Sequence, residues 1–290
     1  ASSALRAVWW RVYMRSIERY GSLLIGLLLS FYLTSPAYAF TPSDSPLLSA
    51  AAVPPNVMLL IDNSGSMNTI IFAPGFDPTV NRTPAKQCNA FLGLCLGSSD
   101  IVGSSIFLSS LPTSGCSGGA YAFYNNSLTP QCIKLPDPVG NGNTRYTDDY
   151  ISYLVGLAAG SNRDFTNGSI PTDYRINVAR NVSTSLVTSN RGLRIGLASF
   201  NAPTSNNSGN GGYIARSVAD LTAVSGSVTQ AQADTNYNTL INGINGLSAV
   251  ANTPLAETYY EISRYFRGLA PFYNTTPSTY TSPIQYRCQK

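Results

Sequence analysis

The chain contains no histidine. That absence excludes Ser-His-Asp and Cys-His catalysis, and the common zinc sites with them. No two of its five cysteines have C-x-x-C spacing, so a zinc ribbon is excluded as well. Charge is scarce, with 18 Lys+Arg and 14 Asp+Glu in 290 residues. The polar surface must therefore come from Ser, Thr, Asn and Gly. Nor is there a long apolar run: Gly21–Ser35 is 15 residues, short of the roughly 18–20 that span a bilayer.

That short run has a purpose of its own. Arg6, Arg11, Arg15 and Arg19 precede it, and Ala37-Tyr38-Ala39 follows it as an A-x-A cleavage site. Residues 1–39 read as a signal peptide, with a mature chain starting at Phe40; a retained anchor is the alternative. The segment holds four Arg and one Glu, so only +1 of the formal +4 belongs to the remaining 251 residues. A near-neutral mature protein offers no electrostatic case for nucleic acid or an anionic membrane. An exported chain turns its cysteines into disulfide candidates. Cys88 with Cys95 and Cys116 with Cys132 are the most local of the three pairings the four clustered cysteines allow, with Cys288 left over and able to displace any of them.

The most chemically loaded segment is Asp62-Asn63-Ser64-Gly65-Ser66. It follows the unbroken apolar run Val57–Ile61, which reads as a strand buried on both faces after a linker at 40–55. One carboxylate and two hydroxyls there form a hard-oxygen donor set suited to Mg²⁺ or Ca²⁺. The carboxyl ends of strands are where open α/β sheets bind ligands. The plainer alternative is a turn in which Asp62 accepts backbone hydrogen bonds.

Residues from about 68 to 170 are rich in Gly, Pro, Ser, Asn and Tyr and carry the four clustered cysteines. They read as an insertion stapled by disulfides because it cannot build its own core, with one short apolar element at Tyr150–Ala159. Asp148-Asp149 reads as a solvated turn, not a glycosidase pair. Beyond it, Thr172 caps a helix with Tyr174, Val178, Val182 and Leu186 at four-residue spacing. Strands follow at Leu193–Phe200 and Tyr213–Val218. Tyr237, Leu240, Ile241, Ile244 and Leu247 mark a second helix. Thr253-Pro254 opens a third, with Thr253 as N-cap and Leu255, Tyr259, Ile262 and Phe266 as its buried face. Strands alternating with helices predict an α/β fold with a mostly parallel sheet covered on both faces.

D-x-S-x-S after the first strand, with Thr253 on a later loop, resembles the von Willebrand factor A domain. The resemblance covers residues 56–67 and 172–267. It implies a Rossmann-like domain over 56–290 and a divalent cation, Mg²⁺ or Ca²⁺, held by Asp62, Ser64, Ser66 and Thr253. The family completes that site with an Asp after a further strand. This sequence lacks both, so the expectation is an amino-terminal fragment with an unfinished sheet and weak cation binding. The signal peptide, Asn56–Met67, a Cys-bearing insertion and Thr253–Thr258 together are similar to the start of PilY-type type IV pilus tip adhesins. That resemblance implies a non-enzymatic, exported adhesion module at the pilus tip and outer membrane, with minor pilins and a host or surface ligand as partners. A structural pilus component with a merely structural or empty site is the alternative.

Overall fold

A computed structural model describes residues 54–205, 208–273 and 280–282. The signal segment, residues 40–53 and Cys288 lie outside the described residues. The elements in chain order are β1 (Asn56–Leu60), β2 (Lys86–Phe91), β3 (Leu94–Asp100), β4 (Ile106–Phe107), β5 (Tyr121–Phe123), β6 (Gln131–Lys134) and β7 (Arg145–Tyr146). They continue with α1 (Asp148–Leu157), β8 (Arg163–Asp164), α2 (Arg175–Ser189), β9 (Arg194–Phe200), β10 (Gly212–Asp220), α3 (Gln230–Asn245) and α4 (Leu255–Phe266).

The sheet that carries Asp62 has the order β1-β9-β10. β1 and β9 pair in parallel from Asn56↔Arg194 to Leu60↔Ala198, while β10 runs antiparallel to β9. The fold is thus mixed α/β, and among the described residues this sheet is mixed, not mostly parallel. Its two faces explain the uninterrupted apolar runs. Val57, Leu59, Ile61, Ile195 and Leu197 pack under α2 and α3. Met58, Leu60 and Ala198 pack under α4. Helices therefore cover both faces, as a period-two strand with two apolar sides requires.

Two helices bury only part of the face that their apolar spacing suggests: Tyr174, Ile262 and Phe266 pack inward as expected, and the other expected positions do not. α2 starts at Arg175 with Tyr174 at the cap position, not Thr172. It buries Ile176 and Val187 with Ala179 beside them, while Val178, Val182 and Leu186 are exposed. α4 starts after Pro254, which holds the N-cap position with no side-chain hydrogen bond, so Thr253 caps nothing. The buried stripe is Thr258, Glu261, Ile262 and Tyr265. Leu255 and Tyr259 are 59% and 68% exposed. The cause is a close approach: a Cβ on Gly212 of β10 would stand 2.4 Å from Thr258 Cγ2, so a small side chain must face the strand there. Glu261 tolerates burial because its Oε2 accepts from Phe272 N at 2.9 Å and Tyr273 N at 2.7 Å.

The insertion is not a coreless loop. Its strands form a five-stranded sheet, β3-β2-β5-β6-β8, and a two-stranded pair, β4-β7. Phe123, Ile133, Tyr146, Tyr150, Leu154 and Phe165 lie fully buried in one apolar cluster within it. The composition misleads because scattered aliphatic residues gather here around four buried aromatic rings, Phe123, Tyr146, Tyr150 and Phe165, and the two tyrosine hydroxyls have partners. Tyr146 Oη donates to Pro136 O at 2.8 Å, and Tyr150 Oη accepts from Ala73 N at 3.0 Å. Asp148 and Asp149 are the first turn of α1 behind a Thr147 N-cap, not a solvated turn. Asp148 accepts from Gly103 N at 2.9 Å, and Asp149 pairs with Arg82 at 3.1 Å. The disulfides are Cys88–Cys95 and Cys116–Cys132, as loop closure favours. They indicate an oxidising compartment, extracellular or periplasmic. Among the described residues, no helix is long and apolar enough to cross a membrane.

Two positions in the insertion carry predictions. The β2–β3 hairpin turns through Leu92-Gly93, with φ of +50° and +80° and the pair Phe91↔Leu94 closing it. Leu92 is 87% exposed, so its left-handed backbone is strained with little burial in return. Leu92→Asn should raise stability by about 1 kcal/mol, read as a higher urea midpoint at unchanged slope. An unchanged or lower midpoint would mean the leucine contributes a contact that outweighs its strain.

The second is Asp137, which organises the loop before β7. Its carboxylate accepts from Gly140 N, Gly142 N, Thr144 N and Thr144 Oγ1. Burial pushes its pKa up, but these hydrogen bonds outweigh that and hold it below the ordinary value of 3.8. A carboxyl depressed in the folded state contributes stability above its unfolded pKa and loses it as pH falls through the folded one. Asp137→Asn should therefore cost about 1–2 kcal/mol at neutral pH. The gap to wild type should close as pH drops below the ordinary aspartate range. A gap that persists in acid would refute the assignment.

Candidate functional site

The Asp62 loop is built as a continuation of the β1–β9 pair. Ile61 N donates to Ala198 O at 3.3 Å, the last backbone bond of that ladder. The chain then turns, and the buried Asn63 extends the pairing with its side chain. Asn63 Nδ2 donates to Phe200 O at 3.2 Å, and Phe200 N donates to Asn63 Oδ1 at 2.9 Å. The amide thus stands in for one residue of strand. Asp62 and Ser64 lie on either side of this anchor.

Asp62 Oδ1 accepts from Ser64 N at 2.7 Å, a turn closed by its own side chain. Ser64 Oγ and Ser66 Oγ stand 2.9 Å apart. A short 3-10 turn, Gly65–Asn68, carries Ser66 and is closed by Met67 N to Ser64 O at 2.9 Å. Thr69 then grips Ser66 O through its N at 3.1 Å and its Oγ1 at 2.7 Å. Burial falls outward along the loop: Ser64 is buried, Asp62 half-buried, and Ser66 exposed.

The segment after α3 completes the surround. Val250 N and Ala251 N both donate to Asn63 O, at 3.0 and 3.1 Å, and Gly65 N donates to Ala251 O at 2.9 Å. These bonds form a parallel bridge between Ser64 and Ala251. Asn68 Nδ2 adds a bond to Ala249 O at 3.3 Å. The segment leading to Thr253 is therefore fastened beside the Asp62 loop, although 187 positions separate Ser64 from Ala251. Thr253 follows two residues later, exposed, with its carbonyl accepting from Leu255 N at 2.9 Å.

Asp62, Ser64 and Ser66 are thus brought into one turn, and Thr253 is carried to its flank by the backbone. Asp62 does accept a backbone hydrogen bond, as the plainer alternative of a turn expects, and Thr253 is not the N-cap expected of it. The donor set fits a hard cation in kind: one carboxylate and adjacent hydroxyls, open to solvent on one side. No cluster of three Cys, Asp or Glu occurs among the described residues, so hydroxyls must supply most of any coordination. No ion pair involves Asp62 among the described residues.

Sequence reasoning missed three participants. Asn63 occupies a variable position of the pattern, and nothing local marks its side chain as strand-like. The 249–251 segment has no motif. Arg145, from the insertion, lies against Gly65: a Cβ there would stand 2.8 Å from Arg145 Nη2. Compared with known proteins, the chain matches no family model, no curated protein and no solved structure.

Proposed function

We propose that this chain is a cation-dependent binding module with von Willebrand A-like architecture, exported as part of a PilY-type type IV pilus tip adhesin. In this reading Asp62, Ser64, Ser66 and Thr253 hold Mg²⁺ or Ca²⁺, and no catalysis is involved. The observation that carries it is the Ser64–Ala251 bridge, which fastens the threonine segment beside the D-x-S-x-S loop. A dication held by one carboxylate and neutral hydroxyls keeps net positive charge and an open position, which suits an acidic group on a partner. The partners that follow are minor pilins of the tip and a host or surface ligand. Ligand-charge count puts the affinity of such a site at about 0.1–1 mM.

A structural reading has one observation in its favour: the Asp62–Ser64 hydrogen bond already closes the turn without any ion. Calorimetric titration of the intact protein with Mg²⁺ and Ca²⁺, followed by chelation and circular dichroism, separates the two. The binding-module reading expects saturable heats and an unchanged fold after chelation. A fold lost on chelation would favour a structural ion, and no heat from either cation would end the binding-module reading and leave the structural one with an empty site.

A further inference from the structure

Among the described residues, Arg145 is a cation without an anion. Its backbone is pinned from two sides: it pairs with Phe107 across β4-β7, and Ile70 N donates to Arg145 O at 3.0 Å. The side chain then runs back to the Asp62 loop. Its guanidinium lies over the Phe107 ring at 4.4 Å, and Nη1 donates to Ser105 Oγ at 3.0 Å. Nε is enclosed with no hydrogen-bond partner. Nη2, the atom nearest Gly65, donates to no protein group among the described residues, and no carboxylate there pairs with Arg145.

Such a group is expensive to hold this way. A guanidinium taken partly out of water without a countercharge loses hydration that stacking on one ring recovers only in part. The fold nevertheless holds it against the glycine between Ser64 and Ser66. Gly65 leaves room for it, since a Cβ would press on Nη2, Cζ and Nη1 together. Planar, permanently charged and with its stem fixed, it is pre-organised for an oxyanion.

We propose that Arg145 is an anion-binding residue of the Asp62 loop, taking an oxyanion (carboxylate, sulfate or phosphate) beside the cation position. The cation half rests on the function proposed above; Arg145 and its geometry do not. Asp62 supplies −1 and Arg145 +1, so the pair alone is neutral, and a bound dication makes the site a strong anion trap. The inserted domain thereby contributes directly to ligand choice.

The test uses isotope-labelled intact protein. The Arg145 Nε–Hε resonance, identified by its loss in Arg145→Lys, is followed as sodium sulfate replaces chloride at constant ionic strength. The expected result is a saturable shift in the millimolar range without any divalent ion. It should strengthen severalfold in Asp62→Ala, which removes a negative charge from the loop that Arg145 lies against at Gly65. It should vanish in Gly65→Ala, where the guanidinium is displaced. A purely structural arginine would show none of this. No saturable shift in wild type up to about 0.1 M sulfate, where a millimolar site is full, would overturn the proposal. Mg²⁺ titration is read separately. Sulfate binding without Mg²⁺ binding would remove the cation reading and leave Arg145 standing, and the reverse would do the opposite.

Discussion

Asp62→Ala should abolish the Mg²⁺ or Ca²⁺ heat of the intact protein. Asp62 supplies the only formal negative charge among Asp62, Ser64, Ser66 and Thr253, and hydroxyls alone do not hold a hard dication against water. Ser64→Ala should only weaken binding, by about tenfold or 1.4 kcal/mol, because a water can replace a neutral hydroxyl. The protein should stay folded in both. The hydrogen bond lost with Asp62 is one local turn contact from Ser64 N at 2.7 Å, worth about 1 kcal/mol. Equal heats from wild type and Asp62→Ala would sink the metal assignment and leave the turn as mere structure.

Asn63→Ala should have the largest effect on stability of any change in the loop. Asn63 is 4% exposed and satisfies both the N–H and the C=O of Phe200, 137 positions away. Alanine would leave two buried backbone groups without partners, each costing about 1–3 kcal/mol. A loss of about 3 kcal/mol is expected, measured as a lower urea midpoint. Asn63→Asp should not rescue it, since a carboxylate keeps the acceptor but turns a negative oxygen toward Phe200 O. Because Asn63 holds the turn from below, cation affinity should fall too, although its side chain is committed to Phe200. A stable Asn63→Ala with wild-type affinity would show that the turn needs no strand-like anchor.

The element order of the three-layer part was legible because its strands are buried on both sides. Leu193–Phe200 reads as a strand from its apolar run and lies at the centre of its sheet, and Leu240, Ile244 and Leu247 lie buried on or just beyond the expected helix. The face of α4 was legible only in part, at Ile262 and Phe266. Apolar spacing favours Leu255 and Tyr259, but Gly212 admits the helix closely only where Thr258 faces it. Contact distance decided against hydropathy there. The insertion misled for a related reason. Its glycines and prolines suggest loops, whereas Tyr146 and Tyr150 bury their rings because Pro136 O and Ala73 N meet their hydroxyls.

What the sequence by itself determined is the chemistry this protein can attempt: no histidine catalysis, and hard oxygen donors at Asp62, Ser64 and Ser66. Those follow from residue type and short spacing, which no folding changes. Tertiary structure alone decided what stands beside those donors. Asn63 reaches Phe200, Ala251 bridges to Ser64, and Arg145 settles on Gly65, each across a long stretch of chain. Such meetings depend on strand register and on the folding of the insertion, and neither leaves a local mark in the order of residues.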